Sequence, residues 1–217
     1  MPDPDKPDPD APSPFVSEAY GVEGQEDLLA FYRKWAEDYD AQMLGLGYVS
    51  PRRIAGLLMA HLPDPASAVF DVGCGTGLTC VALAEQGYRN LDGIDLSEEM
   101  VRVAGGRGIY RELLAGDVTE PIARDDASYD GVISSGTFTH GHVGPEPLDE
   151  LVRILRPGGV LACTVHQDLW QSMGFDRAFR ALVDDGRMQC LHLELDRYYE
   201  EREPEGWFCV YAKRDAK

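Results

Sequence analysis

The stretch Ala68-Val69-Phe70-Asp71-Val72-Gly73-Cys74-Gly75-Thr76-Gly77 decides how this 217-residue chain folds. A short, mainly apolar segment of buried-strand length runs straight into glycines at 73, 75 and 77. Glycine lets the backbone turn sharply and approach a ligand with no side chain in the way. A helix is expected directly after it, over Leu78 to Gln86, ended by Gly87. Strand, glycine turn and helix together open a doubly wound α/β sheet, where ligands sit beyond the carboxyl ends of the strands. The glycine order is G-x-G-x-G, whereas a dinucleotide fingerprint has G-x-G-x-x-G.

The alternation continues downstream. Leu91–Ile94 reads as a second strand, and Ser97 as a helix N-cap with Glu98 and Glu99 in a first turn that favours acids. Further strands are expected over Tyr110–Ala115, Tyr129–Ser134 and Val160–His166. Helices are expected over Pro147–Leu155, stopped at Arg156-Pro157-Gly158-Gly159, and over Phe175–Asp185. Met188–Tyr199 and Trp207–Lys213 read as two closing strands joined by a polar turn around Pro204-Glu205-Gly206. Strands alternating with helices predict a parallel sheet covered on both faces. Two closing strands with no helix between them predict an antiparallel hairpin at its edge. The expected fold class is α/β, a doubly wound, mostly parallel seven-stranded sheet with an antiparallel C-terminal hairpin and N-terminal helices.

Upstream, Gln25–Met43 reads as an amphipathic helix, because Leu28, Tyr32, Trp35, Tyr39 and Met43 share one face. Ser50 as cap and Pro51 at the first helical position predict a second helix reaching about His61, before Pro63 and Pro65. Residues 1–14 hold six of the 14 prolines, alternating with Asp, and predict a disordered tail. Three segments are therefore expected: a tail over 1–14, a helical lid over 15–65 and a ligand-binding domain over 66–217.

Composition narrows the function. The net charge is −18; four Asp and one Lys place −3 of it in residues 1–14. The remainder is itself acidic and carries no basic stripe, which disfavours nucleic acid and anionic membranes as partners. The longest largely apolar run, Gly158–Val165, is far short of the roughly 20 residues a membrane helix needs. The N-terminus lacks the basic and apolar regions of a signal peptide, so the cytoplasm is the expected location. Five cysteines without a CxxC spacing fit reduced thiols. His140-x-His142 lacks a carboxylate or Cys at ligand spacing, so no metal is expected.

Acids recur at the predicted strand ends. Asp95 closes the second strand, where a carboxylate can accept both hydroxyls of a ribose. Asp117, after the third strand, is placed to accept from an exocyclic amine such as that of adenine. Three strand-end acids without a basic phosphate clamp suggest a ligand with ribose and adenine but no phosphates, and a cationic ligand also suits this mouth.

Taken in order and spacing, Asp71-Val-Gly-Cys-Gly-Thr-Gly, Asp95-Leu-Ser, Gly116-Asp117, Tyr129-Asp130-Gly-Val-Ile and Arg156-Pro-Gly-Gly resemble a class I S-adenosylmethionine-dependent methyltransferase. The resemblance covers residues 66–166 well and implies a Rossmann-like class I methyltransferase fold. A narrower likeness is to the Williams–Beuren-region methyltransferase-like proteins. It rests on Tyr32-x-x-Trp35-Ala-x-x-Tyr39-Asp40 and on Ser134-Ser-Gly-Thr-Phe-Thr-His-Gly-His142-Val-Gly-Pro145.

The resemblance implies S-adenosyl-L-methionine as cofactor and assigns roles around it. Asp71, Gly73, Cys74 and Gly75 surround its methionine end. Asp95 takes the ribose hydroxyls, with Leu96 against the adenine. Asp117 meets the adenine amine, and Val118 the ring. The backbone of Ser134 and Ser135 holds the methionine amine. Tyr39 closes over the carboxylate, although a stripe containing Tyr39 and Trp35 equally suits plain helix packing.

Methyl transfer from a sulfonium needs geometry above all, and a base only where the acceptor must lose a proton. His140 and His166 are the candidate bases, with His142 beside them. The absence of an Asn/Asp-Pro-Pro-Tyr motif after the fourth strand and the acidic surface favour a small-molecule acceptor. Phe138, Trp170, Tyr198, Tyr199 and Trp207 are candidate lining for an apolar acceptor pocket, or core residues. Two other readings stay open: a non-catalytic cofactor-binding protein, and an NAD-dependent oxidoreductase.

Overall fold

The computed structural model describes residues 35, 36, 38–139, 143–203 and 205–215. Most of the helix expected over Gln25–Met43, the Pro/Asp tail, His140 and His142 lie outside the described residues. The elements are α1 (Tyr39–Gly45), α2 (Ser50–His61), β1 (Ala68–Val72), α3 (Leu78–Glu85), β2 (Asn90–Asp95), α4 (Glu98–Gly106), β3 (Glu112–Ala115), β4 (Tyr129–Phe138), α5 (Leu148–Ile154), β5 (Leu155–His166), α6 (Gln167–Ser172), α7 (Phe175–Asp184), β6 (Met188–Asp196) and β7 (Gly206–Lys213).

The sheet order is β3-β2-β1-β4-β5-β7-β6. Strands β1 to β5 pair in parallel, while β7 pairs antiparallel with both β5 and β6. The chain therefore winds outward from β1 in both directions, and the closing hairpin occupies one edge. Parallel strands buried on both faces require apolar residues on both. Phe70, Val132 and Leu161 face α5 and α7, whereas Val69, Ile133 and Phe208 face α2 and α3. Phe70, Phe138, Phe175, Phe179 and Phe208 are fully buried, and each side chain of this size contributes about 1.5–3 kcal/mol on leaving water.

Several local expectations are corrected. Ser50 is the first residue of α2 rather than its cap, and Val49 holds the cap position without a side-chain bond. The Ser50 hydroxyl instead lies 3.0 Å from that of Ser135. Strand β3 begins at Glu112, so Tyr110 lies in the loop before it. Strand β4 continues to Phe138, past an irregularity after Ser134. Arg156 to Gly159 do not separate helix from strand. Leu155 already pairs with Tyr129, the next pair is Gly131 with Val160, and of the four residues between, Arg156, Pro157 and Gly158 are exposed while Gly159 is buried. Helix α6 was not expected. It starts at the end of β5, where the His166 ring, an unusual cap, accepts from the Asp168 N–H.

Helix α2 buries Ile54, Ala55 and Leu58 completely and packs on α3, β4 and β5. It is part of the layer covering the sheet. No helix among the described residues is long and apolar enough to cross a membrane.

Candidate active site

The loop leaving β1 turns through three glycines with positive φ: Gly73 at +62°, Gly75 at +53° and Gly77 at +92°. A side chain at Gly73 would be strained in this conformation and would also collide with the Thr137 hydroxyl. Around Gly75 the space is open. The loop is tied to the end of β2 by the Cys74 N–H on the Ile94 carbonyl, 3.0 Å. Asp95 makes the second tie. Its Oδ2 accepts the Gly75 N–H at 2.7 Å and its Oδ1 the Ser97 N–H at 2.9 Å. Ser97 caps α4 as expected, accepting the Met100 N–H. The Asp95 carboxylate thus stands between the glycine loop and the start of a helix.

Asp71 is fully buried beneath this loop. Its Oδ2 accepts a hydrogen bond from the Tyr110 hydroxyl at 2.8 Å, and its Oδ1 has no partner among the described residues. Gly93 eases this contact, because a Cβ there would press on the Tyr110 ring at 3.2 Å. Burial pushes the Asp71 carboxyl up to about 7, opposed by hydrogen bonds from Tyr110 and Cys80 and reinforced by the charge of Asp95. Burial also raises Asp95, against the pull of three backbone N–H groups. Two carboxyls raised side by side suit a ligand that brings positive charge and hydrogen-bond donors. The Cys74 thiol is buried and donates to the Gly75 carbonyl at 3.8 Å. Its pKa is raised by burial, so it packs as a neutral group.

Helix α1 is fastened to the same loop. Asp40 accepts from the Thr76 hydroxyl at 2.6 Å and forms an ion pair with Arg107, whose Nε donates to the Thr76 carbonyl at 2.5 Å. Tyr39, next to Asp40, is partly buried and meets Trp35 edge-on at 4.7 Å. Leu96 follows Asp95 and is partly buried. Beyond β3, Asp117 Oδ1 accepts from the N–H and hydroxyl of Thr119 at 2.8 and 2.7 Å, which fixes a turn, and Val118 is buried in the core.

The ends of β4 and β5 form the second half of the site. Ser134 is completely buried and pairs with Cys163 in the ladder. Its hydroxyl and that of Thr137 both lie within 3.0 Å of the Val72 carbonyl, joining β4 to the end of β1. Ser135 is partly exposed, and the Tyr48 hydroxyl bonds both Ser135 and Ser50. Tyr48 also makes an antiparallel bridge with Tyr199, and the Val49 N–H reaches the Tyr198 carbonyl at 2.8 Å. These two segments roof the carboxyl ends of β4 and β5. His166 is buried at the end of β5. Its Nδ1 accepts the Asp168 N–H at 3.3 Å.

The aromatic candidates divide. Trp170 and Trp207 stack on each other at 5.0 Å and continue through Phe179 into the core, where Phe138 is also buried. Only Tyr198 and Tyr199 belong to the roof. The sequence reading missed Asp40, Thr76, Arg107, Tyr110 and Tyr48 around this site. Asp40 stood inside the quoted Tyr39-Asp40 pair, whereas Tyr110 was read as strand. Arg107 and Tyr48 carried no local signal.

Comparison with known proteins places this geometry in a family. Residues 70–163 match a family of proteins sharing a methyltransferase domain. Methyltransferase-like protein 27 of Homo sapiens is 31 % identical over 172 residues, covering 78 % of this chain and 69 % of that protein. Malonyl-[acyl-carrier protein] O-methyltransferase of Serratia marcescens is 33 % identical over 176 residues, covering 77 % and 67 %. Among solved structures, 1,6-didemethyltoxoflavin-N1-methyltransferase of Burkholderia thailandensis, holding S-adenosylhomocysteine and 1,6-didemethyltoxoflavin, has the same fold. Its TM-score is 0.64 at 20 % identity, with 95 % of this chain and 93 % of that one covered. With a methyltransferase domain matched over residues 70–163 and relatives above 30 % identity covered to two thirds of their length, the chain belongs to the class I S-adenosylmethionine-dependent methyltransferase family.

Proposed function

We propose that the protein transfers a methyl group from S-adenosylmethionine to a small-molecule acceptor bound under the roof at the ends of β4 and β5. The observation that carries this reading is the roof itself. Tyr48 bridged to Tyr199 stands over Ser135 and Gly136, so the acceptor end is covered and suits a molecule that fits beneath it. The printed name of one structural neighbour, 1,6-didemethyltoxoflavin-N1-methyltransferase, points the same way. The net charge of −18 disfavours nucleic acid as acceptor.

The residues present fit the cofactor. Asp71 Oδ1 is a buried oxygen without a partner among the described residues, beside a loop open at Gly75. In this reading Asp71, Gly73, Cys74 and Gly75 enclose the methionine end, and the Ser134–Ser135 backbone and Tyr39 bound it. Asp95 receives the ribose hydroxyls, and Leu96, Asp117 and Val118 frame the adenine. When bound, the cofactor supplies an activated methyl on a sulfonium. The chain's own work is to exclude water, hold the acceptor in line and take up any proton the acceptor releases, and such positioning is worth on the order of 7–11 kcal/mol. His166, buried at the end of β5, is the candidate histidine base within the described residues of this rim.

Methyl-labelled S-adenosylmethionine tests the acceptor class. Incubated with a panel of phenols, amines, carboxylic acids and thiols, and separately with protein and RNA, the enzyme should move label into the small-molecule filtrate alone. Label appearing only in protein or RNA, or in no fraction, contradicts the reading.

A further inference from the structure

We infer that Glu205 is a catalytic carboxylate of the acceptor site, receiving the O–H or N–H of the nucleophile and taking its proton as the methyl group arrives. This rests on the proposed small-molecule methyltransferase reading and extends it to the class of acceptor, a protic oxygen or nitrogen.

The geometry comes from three segments meeting beyond the sheet. Gly206 pairs with His166 at the end of β5, which puts Glu205 one residue past the sheet on the cofactor side. Its backbone is fixed from both directions, its N–H donating to the Asp196 carbonyl at 3.1 Å and its carbonyl accepting the Gln167 N–H at 2.8 Å. The side chain has one oxygen, Oε1, that is buried and bonded to nothing among the described residues. A buried carboxylate oxygen without a donor is costly, and such groups persist where a ligand supplies the donor.

The charged and titratable surroundings are Tyr48 from the loop before α2, Asp168 on α6 and Arg202 in the turn after β6. His166 lies next to this region at the end of β5, with its ring edge toward Tyr198. Arg202 lies over the Tyr199 ring at 4.5 Å. Its charge draws the Glu205 carboxyl down less than burial pushes it up, and Asp168 adds to the rise. A carboxylate more basic than usual is better matched to accepting a proton from an alcohol or ammonium.

The step balances as follows. The acceptor's lone pair forms a bond to the methyl carbon, the carbon–sulfur bond breaks with its electron pair remaining on sulfur, and the acceptor's proton passes to Glu205 and then to water. Tyr48, whose hydroxyl bonds Ser135 and feels the charge of Glu205, links this carboxylate to the end of β4.

The test uses the whole chain labelled with [δ-13C]glutamate and saturated with S-adenosylhomocysteine. Benzylamine, phenol and toluene are added in turn while the carboxylate resonances are followed, and Glu205→Gln identifies the Glu205 line. Benzylamine or phenol should shift that line and toluene should leave it in place. Glu205→Gln should weaken the shifting probe at least tenfold with S-adenosylhomocysteine affinity unchanged within twofold. A Glu205 line that neither protic probe moves, or that toluene moves equally, overturns the inference, and this wild-type result decides even where Glu205→Gln folds poorly. Failure to bind S-adenosylhomocysteine at all contradicts the cofactor reading instead.

Discussion

Asp71 concentrates the conflict between stability and function in one side chain. It is fully buried, accepts hydrogen bonds from Tyr110 and Cys80, and leaves Oδ1 without a partner among the described residues. Its carboxyl stands at about 7 when folded, against about 3.9 in an unfolded chain. The folded state therefore binds the proton more tightly, and the group lowers stability progressively as pH rises from about 4 to 7. Below that window the penalty is absent, and above it the penalty is complete. Asp71→Asn keeps an oxygen for Tyr110 and removes the charge. In the ligand-free protein it should raise Tm by several degrees at pH 8 and by much less at pH 5, a difference on the order of a few kcal/mol at most. Calorimetry at both pH values checks this; an equal shift at the two, or a loss at pH 8, contradicts it. The position of Asp71 was readable because strand end, glycine and acid are adjacent in sequence. Its partner Tyr110 was not, since it is 39 residues away and packs closely against Gly93 on its way to Asp71.

Among the elements, those with strong local patterns matched expectation and those set by distant contacts did not. Ser97 caps α4 through its own third-residue N–H, a local arrangement that sequence displays. Ser50 follows the same pattern before a proline, yet Tyr48 and Ser135 draw its hydroxyl to the site. Helix α6 was invisible because a histidine at a strand end is an uncommon cap. Strand β4 outran its expected end because Phe138 rejoins β5 after an irregularity. Of the helical lid expected over 15–65, α2 packs against the sheet, and residues 15–34 lie outside the described residues. Helix α1 has seven residues and one buried side chain, Met43, so little apolar burial holds it. The Asp40 contacts to Thr76 and Arg107 are then a large share of its attachment. Asp40→Ala should raise amide exchange across Tyr39–Gly45 at least tenfold, a loss of about 1–3 kcal/mol of local stability. Exchange in Ser50–His61 should stay unchanged. Mass-spectrometric exchange reads both segments, and equal protection of α1 in mutant and wild type rejects the latch.

At the scale of the molecule, the order β3-β2-β1-β4-β5-β7-β6 brings the ends of β1, β2, β4 and β5 to one rim, where separated sequence motifs meet. That convergence was legible from strand–helix alternation, because right-handed crossovers leave few other arrangements. The roof over the rim was not, since it joins Tyr48 to Tyr199 across most of the chain. The most direct test of the central claim is calorimetric titration with S-adenosylmethionine, S-adenosylhomocysteine and NAD, on wild type and Asp95→Ala. The two adenosyl ligands should bind at micromolar concentration and NAD should not. Asp95→Ala should weaken the adenosyl ligands by roughly 30-fold, about 2 kcal/mol for a lost charged hydrogen-bond acceptor. Preference for NAD, or adenosyl binding indifferent to Asp95→Ala, would contradict the account.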